Sequence, residues 1–149
     1  MVDDGENTQR REPVDPIVWH FEDIVRRGLA ALAAGGDSEH PMIEDRIVAV
    51  RATPERGTSR HMAAGVSVIP AGYSTPPHSH LAEEYAHVLS GDGVITIDGV
   101  GHPVARGDIL LTPDQSVHVT TAGREPLAIW WIYGPAGSEG RWLGAVSGD

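Results

Sequence analysis

Hydrophobic residues recur at near-helical spacing in one place, close to the N-terminus. Ile17, Phe21, Ile24, Val25, Leu29 and Leu32 are separated by Glu22, Asp23, Arg26 and Arg27. This predicts one amphipathic helix over 17–34, started at Asp15-Pro16 and stopped at Gly35-Gly36. From Met42 onward the pattern shortens. Apolar runs rich in β-branched residues cover Arg46–Ala52, Met62–Pro70, Glu84–Ser90, Val94–Asp98, Ile109–Thr112, Val117–Thr121 and Leu127–Tyr133. Pro70-Ala71-Gly72, Gly91-Asp92-Gly93, Asp98-Gly99, Arg106-Gly107-Asp108 and Ala122-Gly123 punctuate them. Strands at this spacing, with no helices between them, predict an all-β sandwich or barrel. The run 127–133 is apolar at both parities, so its outer face needs cover from the helix or from a second subunit. The organisation expected is a flexible tail over 1–15, a covering helix over 16–36, and a barrel with a C-terminal extension over 42–149.

Length and charge narrow the function. A chain of 149 residues suits one domain. Eleven Lys+Arg against 21 Asp+Glu leave a formal charge of -10, and every basic residue is Arg. That balance argues against nucleic acid and anionic membranes as partners. There is no Cys, which removes disulfides, zinc thiolates, iron–sulfur clusters and thiol nucleophiles together. The polar N-terminus lacks the apolar stretch of a signal peptide, and the expectation is a cytoplasmic protein.

The chemistry concentrates between Gly72 and Gly91. His78 and His80 are two apart, so an extended chain points both to one face, and Glu84 shares their parity while Glu83 does not. Two imidazoles and a carboxylate suit Fe2+, Mn2+, Ni2+ or Zn2+. A fourth ligand has to come from another strand, and His118 is the best placed. His87 has outward parity. His20, His40 and His102 lie outside this stretch and are expected to be solvated or structural. His61, Tyr73 and Tyr133 are weak candidates for a catalytic side chain near the pocket. Trp130 and Trp131 are expected first as packing residues. Arg51 and Arg60 are possible carboxylate binders, though more simply surface residues.

Gly72, His78, His80, Glu84 and Gly91 fit every spacing of Gly-x5-His-x-His-x3-Glu-x6-Gly, and Gly107, Pro113 and His118 fit Gly-x5-Pro-x-Gly-x2-His-x3-Asn. On these residues the chain resembles the cupin superfamily over about 60–134. It departs at two places, with Gln115 for the second motif's inner glycine and Ala122 for its final Asn. The resemblance implies a double-stranded β-helix (jelly-roll) barrel carrying an N-terminal helix. It also implies one divalent metal ion per chain on His78, His80, Glu84 and His118, with two neighbouring positions open to substrate or dioxygen. Some lyases of the superfamily use a tyrosine two residues after the motif Glu, and that position is Ala86 here. The activity expected is that of a metal-dependent enzyme on a small organic substrate, with dioxygenase chemistry favoured over isomerase, cyclase, decarboxylase or lyase chemistry. A ligand-binding or sensor role is the third reading. A homodimer is expected, and neither the substrate nor the general acid or base is legible.

Overall fold

The computed structural model describes residues 18–143. Helix α1 spans Phe21–Ala33 and ends where Gly35 and Gly36 take positive φ, as the glycine pair predicts. It starts later than the periodicity suggests, because Val18 and Trp19 are irregular and His20 is an N-cap without a side-chain cap. The expected tail, the Asp15-Pro16 signal and the last residues of the C-terminal extension fall outside the described residues.

Among the described residues nine strands follow: β1 Met42–Ile43, β2 Arg46–Ala52, β3 Ala63–Ile69, β4 Glu83–Ser90, β5 Asp92–Ile97, β6 Val100–Ala105, β7 Ile109–Thr112, β8 His118–Ala122 and β9 Leu127–Gly134. A short α2, Gly140–Leu143, ends the described residues. The strands form two antiparallel sheets, β1-β2-β3-β9-β4-β7 and β6-β5-β8, which face each other as a jelly roll. All seven expected strands are present within two residues of their predicted ends. Strand β6 was not legible, because Pro103, Gly101 and five exposed positions hide its period. It is an edge strand, where proline is tolerated. The Asp98-Gly99 turn before it carries positive φ at both residues, the geometry of a tight hairpin.

The core has three parts. Ile69, Ala86, Val88, Ile95, Leu127 and Ile129 pack between the sheets. Ala31, Ile47, Val66, Val68 and Ala128 pack beneath α1, and Ile24, Val25, Leu29, Leu32 and Trp130 pack against them. Helix α1 therefore covers part of the outer face of β9, one of the two alternatives its apolar pattern allows. Tyr85, Ile109 and Leu111, farther along the same sheet, remain exposed. The third part, Val48, Val50, Ala63, Trp131, Tyr133 and Trp142, lies at the end of the barrel where the histidines converge. Among the described residues no helix is long and apolar enough to cross a membrane.

Candidate metal centre

His78, His80 and His118 each offer a ring nitrogen, and these lie within 4.8 Å of one another. Glu84 completes the group: its Oε2 is 3.3 Å from His80 Nε2 and 3.4 Å from His118 Nε2. The four residues converge as expected, but by a different route for the first two. Residues 79–82 are not a strand, so alternation does not carry His78 and His80 onto the face of Glu84. Pro76 and Pro77 contribute no backbone donors here, and the segment is held instead by reciprocal backbone bonds between His78 and His118, at 3.2 and 2.9 Å. His80 is fixed by its own carbonyl, which accepts from the N–H of Gln115 at 3.0 Å. Strand β4 begins only at Glu83, which points to solvent while Glu84 points inward.

Gln115 explains one departure from the motif. Its φ is +62°, so the turn keeps the left-handed conformation usually given to glycine. That conformation costs an L residue roughly 1–2 kcal/mol, and it aims the N–H at the His80 loop. Ala122, at the other departure, is packed in the core between the sheets.

Backbone carbonyls set the tautomers. His78 Nδ1–H donates to Pro76 O at 2.9 Å and His118 Nδ1–H to Ser116 O at 3.1 Å. Each Nε2 is left with its lone pair directed into the cluster, the arrangement that metal-bound histidines need. Burial pushes His78 down to about 4, so it is neutral near pH 7. Burial pushes Glu84 up, but contacts with His118 and His80 outweigh it and hold the carboxyl at about 2. His118 is raised: burial disfavours its charged form, and the Glu84 contact and Ser116 carbonyl overcome that. An ionised carboxylate among imidazoles is a donor set, not a proton store.

Two buried atoms in the cluster, His80 Nδ1 and His118 Nε2, have no hydrogen-bond partner. Orphaned buried nitrogens are costly, and a cation between the rings would take up the His118 lone pair. The donor set therefore fits a divalent metal ion.

A cavity opens beside His78, Glu84 and His118. Its walls include Ile69, Ala86, Ile95, Ile129, Trp131 and Trp142, with Thr75, Thr112 and Thr120 as hydroxyls. Ala86 leaves the wall without a phenol two residues beyond Glu84. Tyr133 pairs with Glu84 across β9 and stacks on His80 at 5.2 Å, but its hydroxyl donates to Glu139 at 2.9 Å. Burial and that carboxylate raise its pKa beyond the ordinary phenol range. It braces the His80 ring, and its hydroxyl proton is committed to Glu139. Tyr73 is half exposed and off the cavity wall. His61 lies in an exposed bend before β3, which starts two residues later, and is not on the wall either. None of these three candidates is among the described residues that line the cavity.

The other histidines have other work or none. His40 is buried between Asp37 and Arg51, at 3.0 and 2.8 Å. His87 sits outward on β4, and His20 and His102 are exposed. Arg51 is committed to His40, and Arg60 is exposed. The arginine on the cavity wall is Arg46. Its signal was present in the sequence: it shares inward parity with Val48 and Val50.

Residues 65–133 match the family model for the cupin domain. The barrel is a cupin. Over 80 residues it is 35% identical to dimethylsulfoniopropionate lyase DddW of Ruegeria pomeroyi, spanning 54% of this chain and 53% of that protein. Over 93 residues it is 31% identical to a gentisate 1,2-dioxygenase of a Ralstonia species, spanning 58% of this chain and 26% of the dioxygenase. The chain thus spans about half the length, or less, of these curated relatives. The cupin fold is shared with the plu4264 protein of Photorhabdus luminescens, at a TM-score of 0.58 and 20% identity over 72% of this chain and 89% of that one.

Proposed function

We propose that this cupin is a metal-dependent enzyme that joins a small organic substrate to dioxygen. The observation that carries the reading is the cavity wall. Beside an intact set of three His and one Glu, the described lining residues supply no unligated carboxylate, imidazole or phenol. Chemistry that needs a protein base to remove a proton lacks one, whereas dioxygen chemistry draws its reactivity from the bound ion. An ion held by His78, His80, Glu84 and His118 would supply a binding point for substrate oxygen and, if redox-active, electrons for dioxygen. The chain's own part is to hold His78 and His118 in one tautomer, keep Glu84 ionised, and shield the site with Ile95, Ile129 and Trp131. The added carboxylate charge lowers the ion's reduction potential, which favours electron donation over Lewis acidity.

The second reading is non-redox lyase chemistry, and the similarity to a lyase over half its length favours it. One experiment separates the two. Apoprotein is reconstituted anaerobically with Fe(II), Mn(II), Ni(II) or Zn(II) and offered catechols, enols and β-dicarbonyls. Oxygenase chemistry predicts turnover with dioxygen uptake and none with Zn(II). Turnover supported by Zn(II) without dioxygen refutes it and favours non-redox chemistry, the lyase reading or its isomerase, cyclase and decarboxylase relatives.

A further inference from the structure

Arg46 is the charged residue that the metal centre leaves unused among the described cavity-lining residues. It opens β2, faces the barrel interior, and is 5% exposed. A guanidinium so buried needs partners. Its partners occupy a single nitrogen: Nη1 donates to Glu44 Oε2 at 3.0 Å and lies 3.4 Å from the Ile43 carbonyl. Nε and Nη2 make no hydrogen bond to a described residue. They are not sealed either, since among the described residues the buried side-chain atoms lacking partners are His80 Nδ1 and His118 Nε2. The Nε–Nη2 edge is a planar fork that matches the two oxygens of a carboxylate.

The hairpin between β1 and β2 holds this state. Glu44 and Asp45 both take positive φ, +50° and +65°, a conformation that costs L residues. Glu44 is thereby kept beside one nitrogen while remaining 60% exposed itself. It offsets part of the Arg46 charge and leaves the other edge uncommitted. A partly neutralised single cation suits a planar monoanion better than a phosphate dianion.

We propose that Arg46 binds the carboxylate of a small organic acid whose other end reaches His78, His80, Glu84 and His118. The inference rests on reading those four residues as a metal site, and it names the substrate class. Propionate and the neutral, near-isosteric propionamide are the probes. Each is titrated into zinc-loaded protein and into protein stripped with EDTA, with binding read from tryptophan fluorescence, since Trp131 and Trp142 line the cavity. Propionate should bind at least ~10-fold more tightly than propionamide in both forms. Arg46→Gln should erase that preference, and Arg46→Lys should keep part of it. Glu44→Gln, at an exposed position, removes the competing carboxylate and should tighten propionate binding.

Equal binding of acid and amide overturns the proposal. So does an Arg46→Gln protein with unchanged circular dichroism and unchanged affinity. If Arg46→Gln does not fold, Glu44→Gln decides, and unchanged or weaker propionate binding overturns the assignment. Binding that vanishes with EDTA and ignores Arg46 places the carboxylate on the ion and overturns it too. Arg46-dependent binding in a protein that takes up no metal supports the anchor and rejects the metal reading alone.

Discussion

Removing the Glu139 carboxylate should unfasten the mouth of the barrel. This residue is 3% exposed and lies just before α2. Oε2 accepts from Gly137 N–H at 2.6 Å and from the Tyr133 hydroxyl at 2.9 Å, and Oε1 accepts from the Thr53 hydroxyl at 2.8 Å. One side chain thus ties the end of β2, β9 and the turn into α2 together. Its loss strands two buried hydroxyls and one N–H. Orphaned buried groups cost about 1–3 kcal/mol each and are not additive, so Glu139→Ala should lose roughly 3–5 kcal/mol. At about 2–4 °C per kcal/mol for a chain of this size, Tm should fall by about 6–20 °C.

Glu139→Gln tests the charge separately. Its amide oxygen can still accept from Gly137 and Tyr133, and its NH2 can donate to Thr53 Oγ1. The charge contribution alone is lost, about 1–2 kcal/mol. Burial pushes the Glu139 carboxyl up, but Gly137, Thr53 and Tyr133 outweigh it and hold it below its ordinary 4.5. A depressed folded pKa stabilises above the ordinary value, and that stability drains as pH falls through the folded pKa. The gap between wild type and Glu139→Gln should therefore be full at neutral pH and close progressively below 4.5. Differential scanning calorimetry from neutral to acid pH measures both effects. A Glu139→Ala Tm within 2 °C of wild type, or a gap to Glu139→Gln that does not change with pH, would refute the reasoning.

Other substitutions test neighbouring parts. Gln115→Gly relieves the left-handed strain but adds unfolded-state entropy, so a gain of up to about 1 kcal/mol is expected in a urea midpoint, with the His80 loop intact. Gly65→Ala places a methyl inside contact distance of the Ala49 carbonyl and 2.6 Å from the Trp131 ring. It should cost at least about 2 kcal/mol by the same assay, because backbone cannot step aside as a flexible side chain can. His80→Ala should retain less than about a tenth of wild-type metal by elemental analysis, since losing even an outer-shell partner costs about 10–100-fold in affinity. A fully loaded His78→Ala/His80→Ala protein would remove the case for the site.

Local order carried much of this protein. Period-two alternation and turn pairs such as Asp98-Gly99 place most strands, because a half-buried strand must alternate and a tight hairpin must admit positive φ. The helix end at Gly35-Gly36 is legible for the same reason. Motif spacing likewise brings His78, His80, Glu84 and His118 to notice, though by rule of kinship as much as by geometry. What alternation could not supply was the path of His78 and His80, which depends on backbone pairing with a strand about forty residues away. The inward parity of Arg46 was legible, but its hydrogen bonding, like the roles of Tyr133 and Glu139, was out of reach for a related reason. A phenol is a proton donor to substrate or a brace depending on what meets its hydroxyl, and here a residue beyond β9 meets it. An arginine in an apolar run is a surface charge or a buried fork depending on which partners leave its nitrogens free. Burial, hydrogen-bond satisfaction and shared cavities are properties of residues distant in sequence, so only the folded barrel decides them.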